Sequence, residues 1–327
     1  MTRVAAFDCG TNSLRLLLAE VDPGSGMLTE LDRRMEVVRL GRGVDRTGRI
    51  DPAAMQRALE VTQRYADLAR AAGAERVRFV ATSASRDAEN RDEFVAGVHG
   101  RLGVEPEVIS GDEEAALSFV GATRGLAVRH PAPFLVVDLG GGSTELVLGT
   151  PGALGDAGGV TAAISVDIGC VRLTERHLTD DPPTDDPPTA ARRAAALADV
   201  AAALDRAAAA VPLGSARTLV GLAGTVTTVT AHALGLAGYD RDAIHGAALP
   251  IDRVLAAATA LERMTRAERA TLPFMHPGRV DVIGAGALVW QQVVRRVSAA
   301  VTADGGALTE VVTSEHDLLD GIAWSLA

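Results

Sequence analysis

The chain has 327 residues, of which 47% are hydrophobic and 23% are charged, so it has the composition of a soluble globular protein and the length of two domains. Its formal net charge of −10 argues against a general nucleic-acid binder, which would present a basic face. No apolar stretch approaches the length of a bilayer and no basic leader precedes the first strand, so we expect a cytoplasmic protein without membrane or nucleic-acid partners.

Arginine and cysteine usage indicates which cations can bind phosphate and which cysteine-based sites the chain lacks. The sequence contains no lysine, so every strong cation is an arginine, whose planar guanidinium can hold a phosphate through paired hydrogen bonds. Cys9 and Cys170 are far apart and form no C-x-x-C pair, which argues against a disulfide framework and a zinc site. We expect both cysteines to be small buried residues.

The N-terminal region predicts a meander of three strands followed by alternating helices and strands. Apolar runs predict strands at Arg3–Phe7 and Leu14–Glu20, and Gly26–Leu40 is a third. The further predicted elements are a helix that begins at Asp51-Pro52 and ends at Ala71-Ala72-Gly73, a strand over Val77–Ala81, a helix over Asn90–Gly100 and a strand over Val104–Ile109. By analogy, this order fits an RNase-H-like unit, the module of actin, sugar kinases and heat-shock chaperones.

Arg86 is the first candidate for chemistry in this region. It follows a strand, in a predicted loop of small hydroxyl residues over Thr82–Arg86, where open α/β sheets place ligands. A surface ion pair with Asp87 or Glu89 is the commoner fate of a lone arginine.

A pair of acids, Glu113 and Glu114, follows the next strand and opens an apolar helix that runs through Phe119. Acids in a first turn are favoured by the helix dipole, so capping alone explains them. A carboxylate at such a turn beside a phosphate site would also be well placed to take a proton from water. The local sequence leaves both interpretations open.

The stretch Phe134–Leu148 reads F-L-V-V-D-L-G-G-G-S-T-E-L-V-L and predicts strand, glycine turn, strand. Backbone N–H groups of such a turn can converge on a phosphate, and hydroxyl groups can add donors. Asp138 and Glu145 flank the turn and could hold a hard divalent cation. A glycine hairpin without a ligand is the alternative.

A second copy of this pattern favours the phosphate interpretation. Phe7–Leu18 aligns with Val137–Leu148 without a gap, and both follow apolar-D-x-G-x-x-S-x-x-L-x-L. A repeat at this offset indicates two similar units, each opening with a hairpin whose turn carries Asp and Gly.

The second half is more helical. It predicts strands at Thr161–Val166, Arg217–Leu222 and near Leu308–Val312, and helices after Asp167, over Ala190–Val211 and over Ser314–Leu326. Asp180–Thr189, rich in proline and acids, predicts an insertion loop. Gly224-Thr225 follows a strand and opens a helix, which makes a third candidate anion site. His245 lies in a loop, where a lone histidine is more often structural than catalytic.

Five motifs in this order resemble the exopolyphosphatase and guanosine pentaphosphate phosphohydrolase family. They are D-x-G-T-N-S-x-R-L, A-T-S-A-x-R-x-A-x-N, I-S-G-x-E-E-A, V-D-L-G-G-G-S-T-E-L and G-x-x-G-T, and they span nearly the whole chain. The resemblance implies an α/β fold of two actin-like (RNase-H-like) domains with an interdomain cleft. The expected limits are 1–124 plus about 313–327 for the first domain and 125–312 for the second, as in a short-form member without helical C-terminal domains.

The same resemblance assigns roles to single residues. Glu114 matches the catalytic base, and Mg²⁺ or another divalent cation is implied beside three acids, Asp138, Glu145 and Asp8. The implied phosphate-binding residues are Asn12, Ser13, Arg15, Arg86, Gly140, Gly141, Gly142, Ser143, Thr144, Gly224 and Thr225. Ser314–Gly321 departs from the family pattern S-x-x-G-x-x-E-G, since His316 and Asp317 stand in it.

The expected reaction is hydrolysis of a terminal phosphoanhydride bond, with release of orthophosphate from inorganic polyphosphate. Guanosine pentaphosphate is the alternative substrate, and a catalytically silent polyphosphate- or alarmone-binding protein is an alternative function. An actin-like sugar or acetate kinase would use similar turns but needs an acceptor site and an adenosine pocket. A homodimer is the default expectation for the oligomeric state.

Overall fold

The computed structural model describes residues 1–152, 159–178 and 186–327. The chain forms two compact units. Met1–Gly121 and Asp317–Ala327 make up most of the first unit, and Ala122–Pro151 and Gly158–His316 make up the second.

A five-stranded mixed sheet forms the centre of the first unit. Its strands are β1 (Thr2–Cys9), β2 (Ser13–Val21), β3 (Leu28–Val37), β4 (Arg76–Ala81) and β5 (Glu107–Val108). They lie in the order β3-β2-β1-β4-β5, with β1, β2 and β3 antiparallel and with β4 and β5 parallel to β1. The predicted meander followed by crossovers is confirmed.

Helices cover this sheet. They are α1 (Val44–Thr47), α2 (Pro52–Ala71), α3 (Ser83–Arg86), α4 (Arg91–Leu102) and α5 (Gly111–Thr123). The α2 helix begins where the sequence predicts, because the Asp51 carboxylate accepts from the N–H groups of Ala53 and Ala54, both at 3.0 Å. Phe7 and Phe79 stack in the core with ring centroids 5.5 Å apart, which ties β1 to β4.

A six-stranded mixed sheet forms the centre of the second unit. Its strands are β6 (Phe134–Leu139), β7 (Thr144–Thr150), β8 (Gly159–Val166), β9 (Thr218–Leu222), β10 (Ala248–Pro250) and β11 (Glu310–Thr313). They lie in the order β10-β11-β9-β6-β7-β8. The β6-β7-β8 meander is antiparallel and β9 is parallel to β6, so this sheet repeats the core arrangement of the first.

The helices of the second unit are α6 (Cys170–Leu173), α7 (Ala190–Ala210), α8 (Ala223–Leu234), α9 (Arg241–Ile244), α10 (Ile251–Arg263), α11 (Arg266–Ala270) and α12 (Ile283–Ala303). A π-helical turn at Thr174–Leu178 continues α6, and 3₁₀ turns lie at Leu213–Ser215 and Pro277–Arg279. The last helix, α13 (Leu318–Trp324), belongs to the first unit. The α/β fold class, with two similar mixed sheets, is confirmed.

Several local expectations need correction. The predicted loop at Thr82–Arg86 contains the short helix α3, and the strand predicted over Val104–Ile109 is reduced to β5. The terminal helix begins at Leu318 rather than Ser314, because Asp317 caps it. Most of the predicted Asp180–Thr189 loop lies outside the described residues.

Two expectations concern burial and membranes. Cys9 and Cys170 are both buried and carry free thiols, as predicted. Among the helices that the structure describes, none combines the length and the apolar character that crossing a bilayer requires.

Candidate active site

The repeated sequence pattern builds the same backbone turn twice. In the first unit the Gly10 N–H donates to the Ser13 carbonyl at 3.0 Å, and in the second the Gly140 N–H donates to the Ser143 carbonyl at 3.0 Å. Each turn joins two antiparallel strands at the same place in its sheet, so the repeat is a repeat of local structure.

In the second unit the carbonyl groups of the turn are bonded to the start of α6. The Gly140 carbonyl accepts from the Cys170 N–H at 3.0 Å and the Gly141 carbonyl accepts from the Val171 N–H at 2.8 Å. The Gly142 carbonyl accepts from Arg172 Nε at 2.7 Å. The acceptors of the turn are therefore directed into the protein.

The donors of this turn remain available. The N–H groups of Gly141, Gly142 and Ser143, and the Ser143 hydroxyl, make no hydrogen bond to any described residue. Gly169 allows the close packing behind the turn, since a Cβ there would lie 2.4 Å from the Gly141 carbonyl carbon. Free backbone donors grouped on one turn suit a phosphate group. Thr144, by contrast, donates its hydroxyl to the Ile168 carbonyl and serves the turn itself.

Two buried carboxylates flank this turn. Asp138 and Glu145 are direct partners across the antiparallel β6-β7 pair, and they are 8% and 1% exposed. Ser165 donates to Glu145 Oε1 at 2.7 Å. Carboxylates placed opposite each other repel, and a divalent cation would relieve that repulsion. Mg²⁺ is commonly held by one or two carboxylates together with substrate phosphates, so this pair fits the implied ion. In the described part of the chain, no group of three or more potential ligands is present.

The turn of the first unit is assembled in the same way. The Asn12 carbonyl accepts from the N–H groups of Val38 and Arg39 at 3.0 and 2.9 Å. The half-buried side chains of Asn12 and Ser13 make no hydrogen bond to a described residue. Both therefore offer polar groups to a ligand, as their predicted roles require.

Arg15 lies in a different setting from the one expected of a phosphate-binding arginine. Its Nε donates to Asp8 Oδ2 at 2.7 Å, and its Nη1 donates to Asp317. Asp317 and Asp8 raise the pKa of Arg15 against the effect of burial. Burial raises the pKa of Asp8, with Asp317 adding to the shift and Arg15 opposing it. The guanidinium is thus held between two carboxylates. Asp8 faces a fixed cation, which makes it a poorer ligand for Mg²⁺ than Asp138 or Glu145.

Arg86 does not form the surface ion pair that was considered from the sequence. From α3, its Nη1 donates to the Ile109 carbonyl at 2.9 Å and to Glu114 Oε2 at 3.3 Å. Glu113 is exposed and pairs with Arg78 at 2.8 Å, whereas Glu114 is only 7% exposed. The structure therefore distinguishes the two glutamates that the local sequence left open, and Glu114, the one that the family resemblance implies, lies beside the candidate phosphate-binding Arg86.

The third glycine site differs from a strand–glycine turn–helix. The α8 helix begins directly after β9, with Ala223 at a left-handed φ of 67°, so Gly224 lies inside the first helical turn. A Cβ on Gly224 would lie 2.4 Å from Arg279 Cζ, so glycine here admits that guanidinium to the start of the helix. Thr225 is buried beside Gly286 and Cys170.

Within each unit, the candidate site residues lie at one edge of the sheet, where its parallel strands end. In the second unit Asp138 pairs in register with Leu222, so the turn after β6 and the start of α8 share one sheet edge. In the first unit β1, β4 and β5 end at one edge and lead into the Gly10–Ser13 turn, α3 and α5. Carboxyl ends of parallel strands are where open α/β sheets bind ligands.

The Ser314–Gly321 segment, which departs from the family pattern, contains several side chains with polar or ring contacts. Tyr239 donates to Glu315, and the rings of His245 and His316 meet edge to face at 4.5 Å. Asp317 and Asp320 form the capping box of α13, and each also pairs with an arginine, Arg15 or Arg33.

Sequence reasoning missed Arg279 and Arg172 as candidate site residues. Arg279 lies against Gly224, and Arg172 holds the glycine turn through the Gly142 carbonyl. Neither arginine lies in a recognisable motif, so only the fold reveals them.

Comparison with known proteins gives one consistent result. Residues 17–317 match the Ppx/GppA phosphatase family. Exopolyphosphatase 2 of Mycobacterium tuberculosis is 49% identical over 334 aligned positions, which cover 100% of this chain and 99% of the relative.

Solved structures agree with that match. A crystal structure of an exopolyphosphatase-like protein superposes with a TM-score of 0.92 at 48% identity, covering 99% of this chain and 97% of the other. The Aquifex aeolicus PPX-GPPA enzyme superposes with a TM-score of 0.77 at 28% identity, covering 99% of each chain.

Proposed function

The chain belongs to the Ppx/GppA phosphatase family, and from that premise we propose that it is an exopolyphosphatase, which releases terminal orthophosphate from inorganic polyphosphate. The observation that carries the proposal is the Gly140–Ser143 turn. The carbonyl groups of Gly140, Gly141 and Gly142 accept hydrogen bonds from α6, while the N–H groups of Gly141, Gly142 and Ser143 have no acceptor among the described residues, and two buried carboxylates lie beside them. This arrangement suits a phosphoanhydride and a divalent cation.

Glu114 is the proposed general base. Its carboxylate takes a proton from water while the water oxygen forms a bond to the terminal phosphorus. The anhydride P–O bond breaks at the same phosphorus, and the shortened chain leaves with the bonding electrons. Arg86 orients the Glu114 carboxylate through its hydrogen bond at 3.3 Å. The support for Glu114 over Glu113 is its burial and this arginine partner.

The glycine turns and the hydroxyl groups hold the phosphates. In the second unit the proposed donors are the N–H groups of Gly141, Gly142 and Ser143, and Gly140 closes the turn. In the first unit they are the side chains of Asn12 and Ser13. Phosphoryl transfer depends mainly on positioning and charge neutralisation, which these groups supply.

Asp138 and Glu145 are the proposed ligands of Mg²⁺. When bound, the ion would neutralise negative charge on the phosphate oxygens. The two carboxylates fix its position because both lie on paired strands of one sheet.

Glu114→Gln tests the base. We expect the variant to fold and to lose turnover by roughly 10²–10⁴-fold, because it cannot accept a proton. Phosphate release from polyphosphate is the measurement. Glu113→Gln is the matched control, since Glu113 is adjacent, exposed and paired with Arg78, and it should keep near-normal turnover. Equal losses in both variants, or none in Glu114→Gln, would reject the assignment.

Substrate choice needs a separate assay. Phosphate release is compared across polyphosphates of graded length and guanosine pentaphosphate, with and without Mg²⁺. An exopolyphosphatase releases phosphate from polyphosphate without any acceptor. Activity on guanosine pentaphosphate alone would replace the proposed substrate, and binding without turnover would indicate a silent sensor.

A further inference from the structure

A cavity with several arginines in its lining lies within the second unit. It has a volume of about 430 Å³ and is lined by parts of α7, α10 and α11 and by the first turn of α12. It includes none of the residues proposed above for phosphate or metal binding. Its volume is in the range of small-molecule sites.

Arginines slightly outnumber carboxylates in the lining of this cavity, although the net charge of the chain is −10. Four arginines line it, Arg193, Arg263, Arg266 and Arg269. Three carboxylates face them, and two of these are used in ion pairs, because Arg193 binds Glu262 and Arg266 binds Asp281.

The third carboxylate is also accounted for. Asp186 accepts from the Arg266 backbone N–H at 2.8 Å. Among described residues, Arg263 and Arg269 have no ion-pair partner. One of the two, Arg263, is exposed, so solvent screens its charge. The other is buried.

Arg269 is 4% exposed and its guanidinium is only partly satisfied. Nε donates to the Leu261 carbonyl at 2.9 Å and Nη2 donates to the Glu262 carbonyl at 3.0 Å, while Nη1 has no acceptor in the described part of the chain. Burial lowers the pKa of Arg269, and Arg266 adds to that shift while the three carboxylates oppose it. A buried guanidinium that forms no ion pair with a described carboxylate favours the binding of an anion.

The start of α12 adds a second group of donors. Val282, the N-cap residue, makes no side-chain cap, and the first turn has no acid. The N–H groups of Gly284 and Ala285, which line the cavity, have no acceptor among the residues described. A Cβ on Gly284 would lie 2.3 Å from Arg269 Nη2, so the guanidinium packs directly against this helix end. A cation at the positive end of a helix is unfavourable, and an anion would satisfy both.

The remaining wall is apolar and includes Leu178, Pro187, Pro188 and Leu288. We propose that this cavity binds a small organic phosphate, with its phosphate group on Arg269 and the N–H groups of Gly284 and Ala285 and its organic part against the apolar wall. Inorganic polyphosphate has no such organic part. A phosphomonoester has no phosphoanhydride bond, so it would be bound here rather than hydrolysed by the proposed activity.

Isothermal titration calorimetry tests the proposal on the full chain. The probes are adenosine monophosphate and glucose 6-phosphate, which carry the same phosphate on different organic parts and so distinguish nucleoside from sugar ligands. We expect one of them to bind at millimolar concentration or below. Arg269→Gln should weaken this binding by about tenfold or more, the effect of losing a charged hydrogen bond.

Two further variants separate binding from folding. Gly284→Ala should weaken binding because its Cβ displaces the Arg269 guanidinium. Arg263→Gln, at an exposed position of the cavity, should weaken it less. Arg295→Gln, exposed on α12 and outside the cavity, is the matched control and should bind normally.

The proposal is overturned if neither probe binds at millimolar concentration, or if Gly284→Ala and Arg263→Gln both bind as wild type does. Circular dichroism shows whether Arg269→Gln is folded. If it is not, the other two variants decide the outcome.

Discussion

At one aligned position the two hairpins carry side chains of opposite charge. The repeat aligns Arg15 with Glu145, and each lies directly opposite an aspartate, Asp8 or Asp138. In the first unit this produces an ion pair, and in the second it produces two neighbouring carboxylates. One residue therefore decides whether the aspartate beside the turn is neutralised by an arginine or accompanied by the second acid of the proposed Mg²⁺ site.

Mg²⁺ should stabilise the folded protein through this carboxylate pair. At tenfold excess over its Kd, one bound ion adds about 1.4 kcal/mol to the free energy of unfolding. For a protein of this size the melting temperature should rise by roughly 2–4 °C. Glu145→Gln should lose most of that rise, because one of two charged ligands is removed.

Differential scanning calorimetry with and without Mg²⁺ measures this effect independently of activity. Glu310→Gln, at an exposed strand position of the same sheet, is the control and should respond to Mg²⁺ as wild type does. A full Mg²⁺ response in Glu145→Gln would exclude Glu145 as a ligand.

Asp317 should contribute more to stability than an ordinary surface acid. It is 5% exposed and bonds both Arg15 and the first turn of α13. Asp317→Asn should lower the free energy of unfolding by about 2–4 kcal/mol, since one partner of a largely buried ion pair is lost. Asp32→Asn, which breaks the exposed pair with Arg34, should cost about 0–1 kcal/mol. Urea denaturation distinguishes them, and equal losses would contradict this role.

Local sequence predicted the turns but not the ion pairs around them. The glycines, Asp138 and Glu145 are adjacent in the chain, so a short motif contains the whole hairpin. Arg15 and Asp317 are 302 positions apart, and nothing in either neighbourhood indicates the other. The choice between Glu113 and Glu114 also depends on distant partners, Arg78 and Arg86.

Among the helices, α2 is the one whose start the local sequence predicted from a capping side chain. Asp51 and Pro52 mark the start of α2 through a local hydrogen bond that the sequence reveals. The sequence assigned no elements between His245 and Leu308, where β10, α10, α11 and α12 lie. Every residue of α12 from Ile283 to Gln291 is buried, including Trp290, so this half of the helix does not show the one-sided period of a surface helix.

A histidine cap should make the Pro277–Arg279 turn sensitive to pH. His276 Nδ1 accepts from the Gly278 N–H at 3.1 Å, which a protonated ring cannot do. Burial, with the charge of Arg279 adding to it, lowers the pKa of His276. The unfolded value is about 6.5. The stabilisation is therefore present above that pH and is lost as the pH falls through the lower, folded-state pKa.

His276→Asn should reduce this pH dependence, because an amide oxygen can accept the same bond without titrating. Urea denaturation between pH of about 7.5 and about 5 measures it. Wild type should lose more stability on acidification than the variant. His99→Asn, at an exposed position, is the control and should follow wild type. If His276→Asn loses as much stability as wild type, the cap is not responsible.

On the scale of the whole molecule, two similar sheets each present ligand groups at the ends of parallel strands. Arginines supply the local positive charge at these edges, yet the chain as a whole is acidic. A polyanionic substrate therefore meets a repulsive long-range field before it reaches attractive short-range groups. The repulsion acts over a longer distance than the attraction, so a change in salt concentration can distinguish their effects on substrate binding.

The rate of capture of short polyphosphate should rise with ionic strength. Added monovalent salt shortens the screening length to about 8 Å at physiological strength, which removes long-range repulsion while leaving contacts in the site largely intact. With free Mg²⁺ held constant, we expect kcat/KM to increase between low salt and about 0.15 M ionic strength, and kcat to change little. A fall in kcat/KM over this range would mean that the arginines near the turns, rather than the net charge of −10, govern the approach of the substrate.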